Sequence, residues 1–195
     1  EYTYSGNARP VSEPVGDQST GLVALYNFGD DDSSNALANA MSPDQTATLA
    51  SANTSASAMP VIETDLSRFG GIVHTKFGAQ GANSYVSMPN PLYNETGIDG
   101  FTVSAWVKRA DDNQWDALWG FFNSQSASAA GPRLYLTGNS YIGFNDNAGN
   151  WFDVNHPNSK DVDILGVDEW HLVTFTFSQS EGYMLYVDGK PYTTA

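Results

Sequence analysis

The chain reads as an all-β protein, an antiparallel sandwich or barrel, on three observations. Runs rich in β-branched and aromatic residues recur in its second half: Phe101-Thr-Val-Ser-Ala-Trp-Val-Lys108, Trp170-His-Leu-Val-Thr-Phe-Thr-Phe177 and Tyr183-Met-Leu-Tyr-Val-Asp-Gly-Lys190. Each alternates in character with period two, the repeat of a strand and not of a helix. Nearly every gap between such runs holds Gly, Asn, Asp or Pro, and no long helical pattern or internal repeat interrupts the series.

In chain order, residues 1–20 are polar, carry Pro10 and Pro14, and read as a leader or tether; residues 21–195 read as one domain. Leu22–Phe28 is the first expected strand, ended by the turn chemistry of Gly29-Asp-Asp-Asp-Ser-Ser34. Residues 35–58 are rich in Ala, Ser, Asn and Thr and are expected to be mostly long surface loop. Within them, 35–41 could make a turn or two of helix before Pro43, and 46–49 a short strand. Further strands are expected at 72–77, 84–88, 101–108, 117–122, 133–137, 141–144, 151–154, 171–177 and 183–187. The last two are joined by the hairpin-length loop Ser178-Gln-Ser-Glu-Gly182.

Parity assigns the faces. Phe101, Val103, Ala105 and Val107 share one side of their run, and Thr102, Ser104, Trp106 and Lys108 the other. Likewise His171, Val173, Phe175 and Phe177 oppose Leu172, Thr174 and Thr176. One apolar face and one mixed face suit a two-layer fold. The mixed faces have the composition of a partly solvated groove.

Composition narrows the partners. The 195 residues are 41% hydrophobic and 13% aromatic, enough for a sizeable core. With 22 acids against 8 bases the net charge is −14, which argues against nucleic acid and against an anionic membrane surface. That acidity serves solubility, and it also permits a cation such as calcium. There is no cysteine, so disulfides, thiol catalysis and zinc–cysteine sites are excluded. No apolar run approaches the ~20 residues that span a bilayer, and the first ten residues lack a signal-peptide pattern. Two glycosylation sequons, at Asn53 and Asn94, are short enough to arise by chance.

Taken in order, several segments carry a family resemblance: 22–28 with its acidic loop, Tyr85-Val-Ser-Met-Pro89, 101–108, Trp170-His-Leu-Val173 and Leu185-Tyr-Val-Asp-Gly-Lys190. Over residues 21 to 190 the chain resembles the laminin-G-like, concanavalin A-like lectin/glucanase jelly-roll domains, in particular their bacterial and pentraxin-like branch. The resemblance implies a jelly-roll sandwich of two antiparallel sheets, secreted or at the cell surface, binding glycans or proteins and often calcium. It also implies further strands beyond the last hairpin. The chain is therefore expected to be a piece of a longer domain, or residues 1–20 to help complete the sheets.

Two candidate sites follow. Asp30, Asp31 and Asp32 crowd three carboxylates into one turn with Asn35 close by, and a hard cation would offset their repulsion. A calcium site is expected at Asp30, Asp32 and Asn35; the same residues also read as a solvated turn that caps its own backbone. The second is a glycan site. Aromatic rings take the C–H faces of a sugar, while amides and carboxylates take its hydroxyls. The expected set is Trp106, Trp115, Arg133, Tyr135, Asn145, Asp146, Asn150 and Trp151, with Trp119 a further neighbour. The 145–150 stretch reads equally as a hairpin turn, and the aromatics as core.

Catalysis finds little support. The six glutamates, at 1, 13, 63, 95, 169 and 181, start no E-x-D-x-x-E pattern of a retaining glycosidase. There is no G-x-S-x-G elbow, Walker A loop or dinucleotide fingerprint. His171 reads as a strand histidine, and His74 and His156 have no ligand-spaced partner. The expected function is a non-catalytic carbohydrate-binding or adhesion module of an exported, bacterial surface protein, whose partner is a glycan or another surface protein. The alternatives are a protein–protein adhesion module and an atypical glycoside hydrolase.

Overall fold

Strand periodicity dominates the computed structural model: its described residues form thirteen strands, no helix, and only antiparallel sheet ladders. The structure describes residues 21–28, 36–51, 59–65, 72–78, 84–90, 98–110, 116–120, 133–136, 142–145, 151–153 and 165–191. The chain divides into two compact units, Glu1–Asn94 and Glu95–Ala195.

The first unit holds β1 (Ala36–Leu37), β2 (Ala47–Ser51), β3 (Val61–Asp65), β4 (Ile72–Lys76) and β5 (Ser84–Ser87). β2 lies between β1 and β5, pairing Leu37 with Ala47 and Leu49 with Val86; β3 and β4 form a separate pair. Leu37, Ala47 and Leu49 are buried together, with Tyr26, Phe28, Ile62 and Val86 packed on them. The described part of this range, residues 36–51, therefore holds strand and core and is not all surface loop. Alanines let backbones approach closely, so two leucines suffice to seat the segment despite its weak strand propensity.

The helical turn expected before Pro43 is also absent. Asn39 instead bridges Tyr26, and its fully buried side chain accepts hydrogen bonds from the Leu25 and Met41 amides, both at 3.0 Å. Residues 22–28 alternate in exposure as a strand would, yet among the described residues that one bridge is their ladder contact. Thr75 ties the β3–β4 pair to this segment by donating to the Phe28 carbonyl at 2.9 Å. β3, which the sequence reading passed over, breaks alternation with Val61-Ile62 and then carries two acids.

The second unit has two sheets. One orders β13 (Lys190–Pro191), β12 (Gly182–Val187), β11 (Trp170–Ser178) and β6 (Gly100–Lys108); the other orders β10 (Trp151–Asp153), β9 (Ile142–Asn145), β8 (Arg133–Leu136) and β7 (Asp116–Gly120). Their common core is Val173, Phe175, Leu185 and Val187 from the first sheet and Leu134 from the second, with Leu165 from the loop before β11. Trp119 meets Phe175 edge-on with ring centres 5.2 Å apart, and Phe101 at 6.1 Å. The β7–β8 register shifts between Ala117 and Trp119. This irregularity lets the consecutive residues Leu118 and Trp119 both pack on the core. Trp119 thus packs, partly buried, on the core.

Candidate functional site

In the sheet β13-β12-β11-β6, Phe175 and Leu185 are buried in the core, and Val103, in register with Phe175, shares their face. The alternate residues therefore form the opposite face. Across it run Thr102–Thr176–Met184, then Ser104–Thr174–Tyr186–Pro191, then Trp106–Leu172, then Lys108–Trp170. Trp106 is 55% exposed, and Met184, two register rows away on β12, is also exposed on the same face.

Hydroxyls fill the middle of this surface. Thr102 and Ser104 on β6 stand opposite Thr176 and Thr174 on β11, a two-by-two set at the spacing of neighbouring strands. The Ser104 and Thr174 hydroxyls share a hydrogen bond of 2.7 Å, and the Thr176 hydroxyl donates to the Met184 carbonyl at 3.4 Å. Each hydroxyl keeps acceptor capacity after one such bond. The surface is nearly neutral: of its described register positions only Lys108 is charged, and its ammonium stands 3.9 Å from the Asp168 carboxylate.

The lower end of the face is fixed by Asp188. Asp188 and Gly189 take positive φ values of 51° and 77°, the geometry of a tight hairpin turn into β13. The Asp188 carboxylate accepts from the Leu172 amide at 2.9 Å, and the Asp188 amide donates back to the Leu172 carbonyl at 2.9 Å. A side-chain oxygen thus takes the place of a backbone carbonyl where the ladder ends. Its second oxygen lies 2.8 Å from His171 Nδ1, and His171 Nε2 is 3.7 Å from Glu169. The histidine is a strand residue holding a turn, as its sequence context suggested; its buried Nε2 has no hydrogen-bond partner.

The other expected ligand residues divide. The backbones of Arg133, Asn145 and Trp151 occupy one register row across β8, β9 and β10, with Tyr135 two residues from Arg133 on β8. The structure brings these to one sheet, but Trp106 stands on the other, facing away from the shared core. The side chains of Arg133, Tyr135, Asn145 and Trp151 lie outside the described structure, as do residues Trp115, Asp146 and Asn150. The calcium residues Asp30, Asp32 and Asn35 also lie outside it. Among the described residues, no group of three or more His, Asp or Glu is placed to hold a metal ion, and no helix is long and apolar enough to cross a membrane.

Sequence reasoning singled out Trp106 but missed Tyr186 and Met184. The signal was available, since alternation within Tyr183–Val187 sets Met184 and Tyr186 against Leu185 and Val187.

A family model described as the Concanavalin A-like lectin/glucanases superfamily matches residues 80–195. A solved S-layer domain-containing protein from Clostridium thermocellum (its residues 221–444) is similar at 20% identity and a TM-score of 0.46, over 87% of this chain and 72% of that one. A search of curated proteins returns no match.

Proposed function

This chain belongs to the Concanavalin A-like lectin/glucanases superfamily, and from that premise we propose that it is a non-catalytic carbohydrate-binding module of an exported surface protein. The observation that carries the reading is Trp106: a large aromatic 55% exposed on a strand whose other face is core. Leaving an indole in water forgoes the stabilisation of burying it, while a flat ring next to an array of hydroxyls suits the apolar face and polar edge of a sugar. The described positions of this face hold no carboxylate pair, so they offer neither the acid nor the nucleophile of glycoside hydrolysis.

Calcium belongs to the same reading as a structural ion at Asp30, Asp32 and Asn35, whose oxygen-only donors suit a hard cation. It would hold a loop; the face around Trp106 does its binding without it.

A glycan array probed with the wild-type chain and with Trp106→Ala tests the proposal. The wild type is expected to bind and the variant to lose at least about tenfold in affinity, the range of an aromatic anchor. Its melting temperature should hardly change, since the ring is largely in solvent. A wild-type chain that binds no glycan but captures a surface protein would favour the adhesion alternative.

A further inference from the structure

Resting on the carbohydrate-binding reading, we propose that the outer face of β6, β11 and β12 is a cation-independent subsite for a neutral, extended polysaccharide chain. The chain would run obliquely across the strands from Trp106 to Tyr186.

Register sets the path. Tyr186 faces Thr174, which faces Ser104, and Trp106 lies two residues further along β6. Two inter-strand steps and two residues of rise separate the aromatic positions by roughly 12 Å, too far for one sugar ring to bridge. Between them lie Leu172 and the hydrogen-bonded Ser104–Thr174 pair. An apolar ring at each end with a hydroxyl pair between fits several linked sugars: two stack on the aromatics and those between bond the hydroxyls. A sheet face is open and shallow, so it supports an extended chain better than a coiled one, which needs a cleft to surround it.

Charge sets the class. A chain of net charge −14 repels uronates and sulfated glycans at a distance. On the face itself the one described cation, Lys108, is already beside Asp168, so no basic cluster offsets that repulsion. Equally, no described position on the face offers a carboxylate to select an amino sugar or to hold a bridging metal ion. The Asp188 carboxylate at its end is engaged by the Leu172 amide and His171. A neutral ligand is what remains.

Isothermal titration of the full chain tests this with neutral β-1,4-linked disaccharides and hexasaccharides, a uronate hexasaccharide and a coiled α-1,4-linked hexasaccharide, each with and without chelator. The expected result is binding of the neutral extended hexasaccharide, unchanged by chelator, with the disaccharide weaker by at least about tenfold because it reaches one aromatic alone. Trp106→Ala and Tyr186→Ala should each weaken the hexasaccharide about tenfold and abolish its advantage over the disaccharide. Tyr186→Phe, which keeps the ring and the packing, should retain the advantage and so separates loss of stacking from loss of fold. Equal affinity for both lengths, preference for the uronate or coiled chain, or loss of binding in chelator overturns the inference. Glycan binding that survives in a variant carrying both Trp106→Ala and Tyr186→Ala overturns it while leaving the module reading intact. Absence of binding to every glycan overturns both.

Discussion

Asp188 shows how one side chain can do several jobs through position. It takes a left-handed conformation, which Asn and Asp tolerate better than other non-glycine residues, and from there reaches back to the Leu172 amide and His171. Replacing it with Ala should cost about 1–2 kcal/mol, from lost hydrogen bonds and a less tolerant backbone, read as a lower urea midpoint. Asp188→Asn keeps an acceptor for the Leu172 amide and the preferred backbone, so it should cost less than about 1 kcal/mol. Equal losses in the two variants would show that the carboxylate's charge toward His171, and not the amide bond, is what matters. The sequence displayed this residue only as part of a turn. Its use as a substitute carbonyl depends on Leu172, sixteen residues earlier in the chain, arriving beside it, which no local pattern states.

Strands divide into those written plainly in sequence and those created by neighbours. β6, β11 and β12 were legible to within a residue or two because alternation, branching and turn residues agree in each. β2 was legible as the short strand expected at 46–49, but β1 and β3 were not: the two-residue β1 has no period to read, and β3 breaks alternation and carries two acids. The central sheet is expected to be sensitive at two points. Phe175 is fully buried and meets Trp119, Phe101 and Tyr183. Phe175→Ala should therefore destabilise by about 3–5 kcal/mol, measured by chemical denaturation of the second unit's tryptophan signal. At the start of β6, a Cβ on Gly100 would drive into the carbonyl oxygen of Phe177. Gly100→Ala should cost about 1–3 kcal/mol, because the obstacle is backbone in a paired strand and cannot swing aside. Unchanged stability there would mean that β6 can slide relative to β11.

At the scale of the molecule, acidity and the calcium expectation meet in one experiment. Net self-repulsion at −14 predicts a higher melting temperature as sodium chloride screens it. Millimolar calcium should raise the melting temperature further at matched ionic strength, and chelator should reverse that increment, if Asp30, Asp32 and Asn35 hold the ion. A calcium response equal to the salt response would remove the site. The sequence by itself determined the all-β class, the antiparallel pairing of the three long runs and the family, because period-two alternation and turn chemistry are local and survive in one dimension. It also assigned Trp106 to the mixed face by parity alone. The tertiary structure decided which candidates can act together. Trp119 was set against the core through a register irregularity, Arg133, Asn145 and Trp151 came to one row of one sheet, and Trp106 was left on the other, on the same face as Tyr186 and one register row from it. The physical reason is that parity gives a residue its face within one strand, whereas neighbours across strands and sheets are set by register and by packing between distant segments.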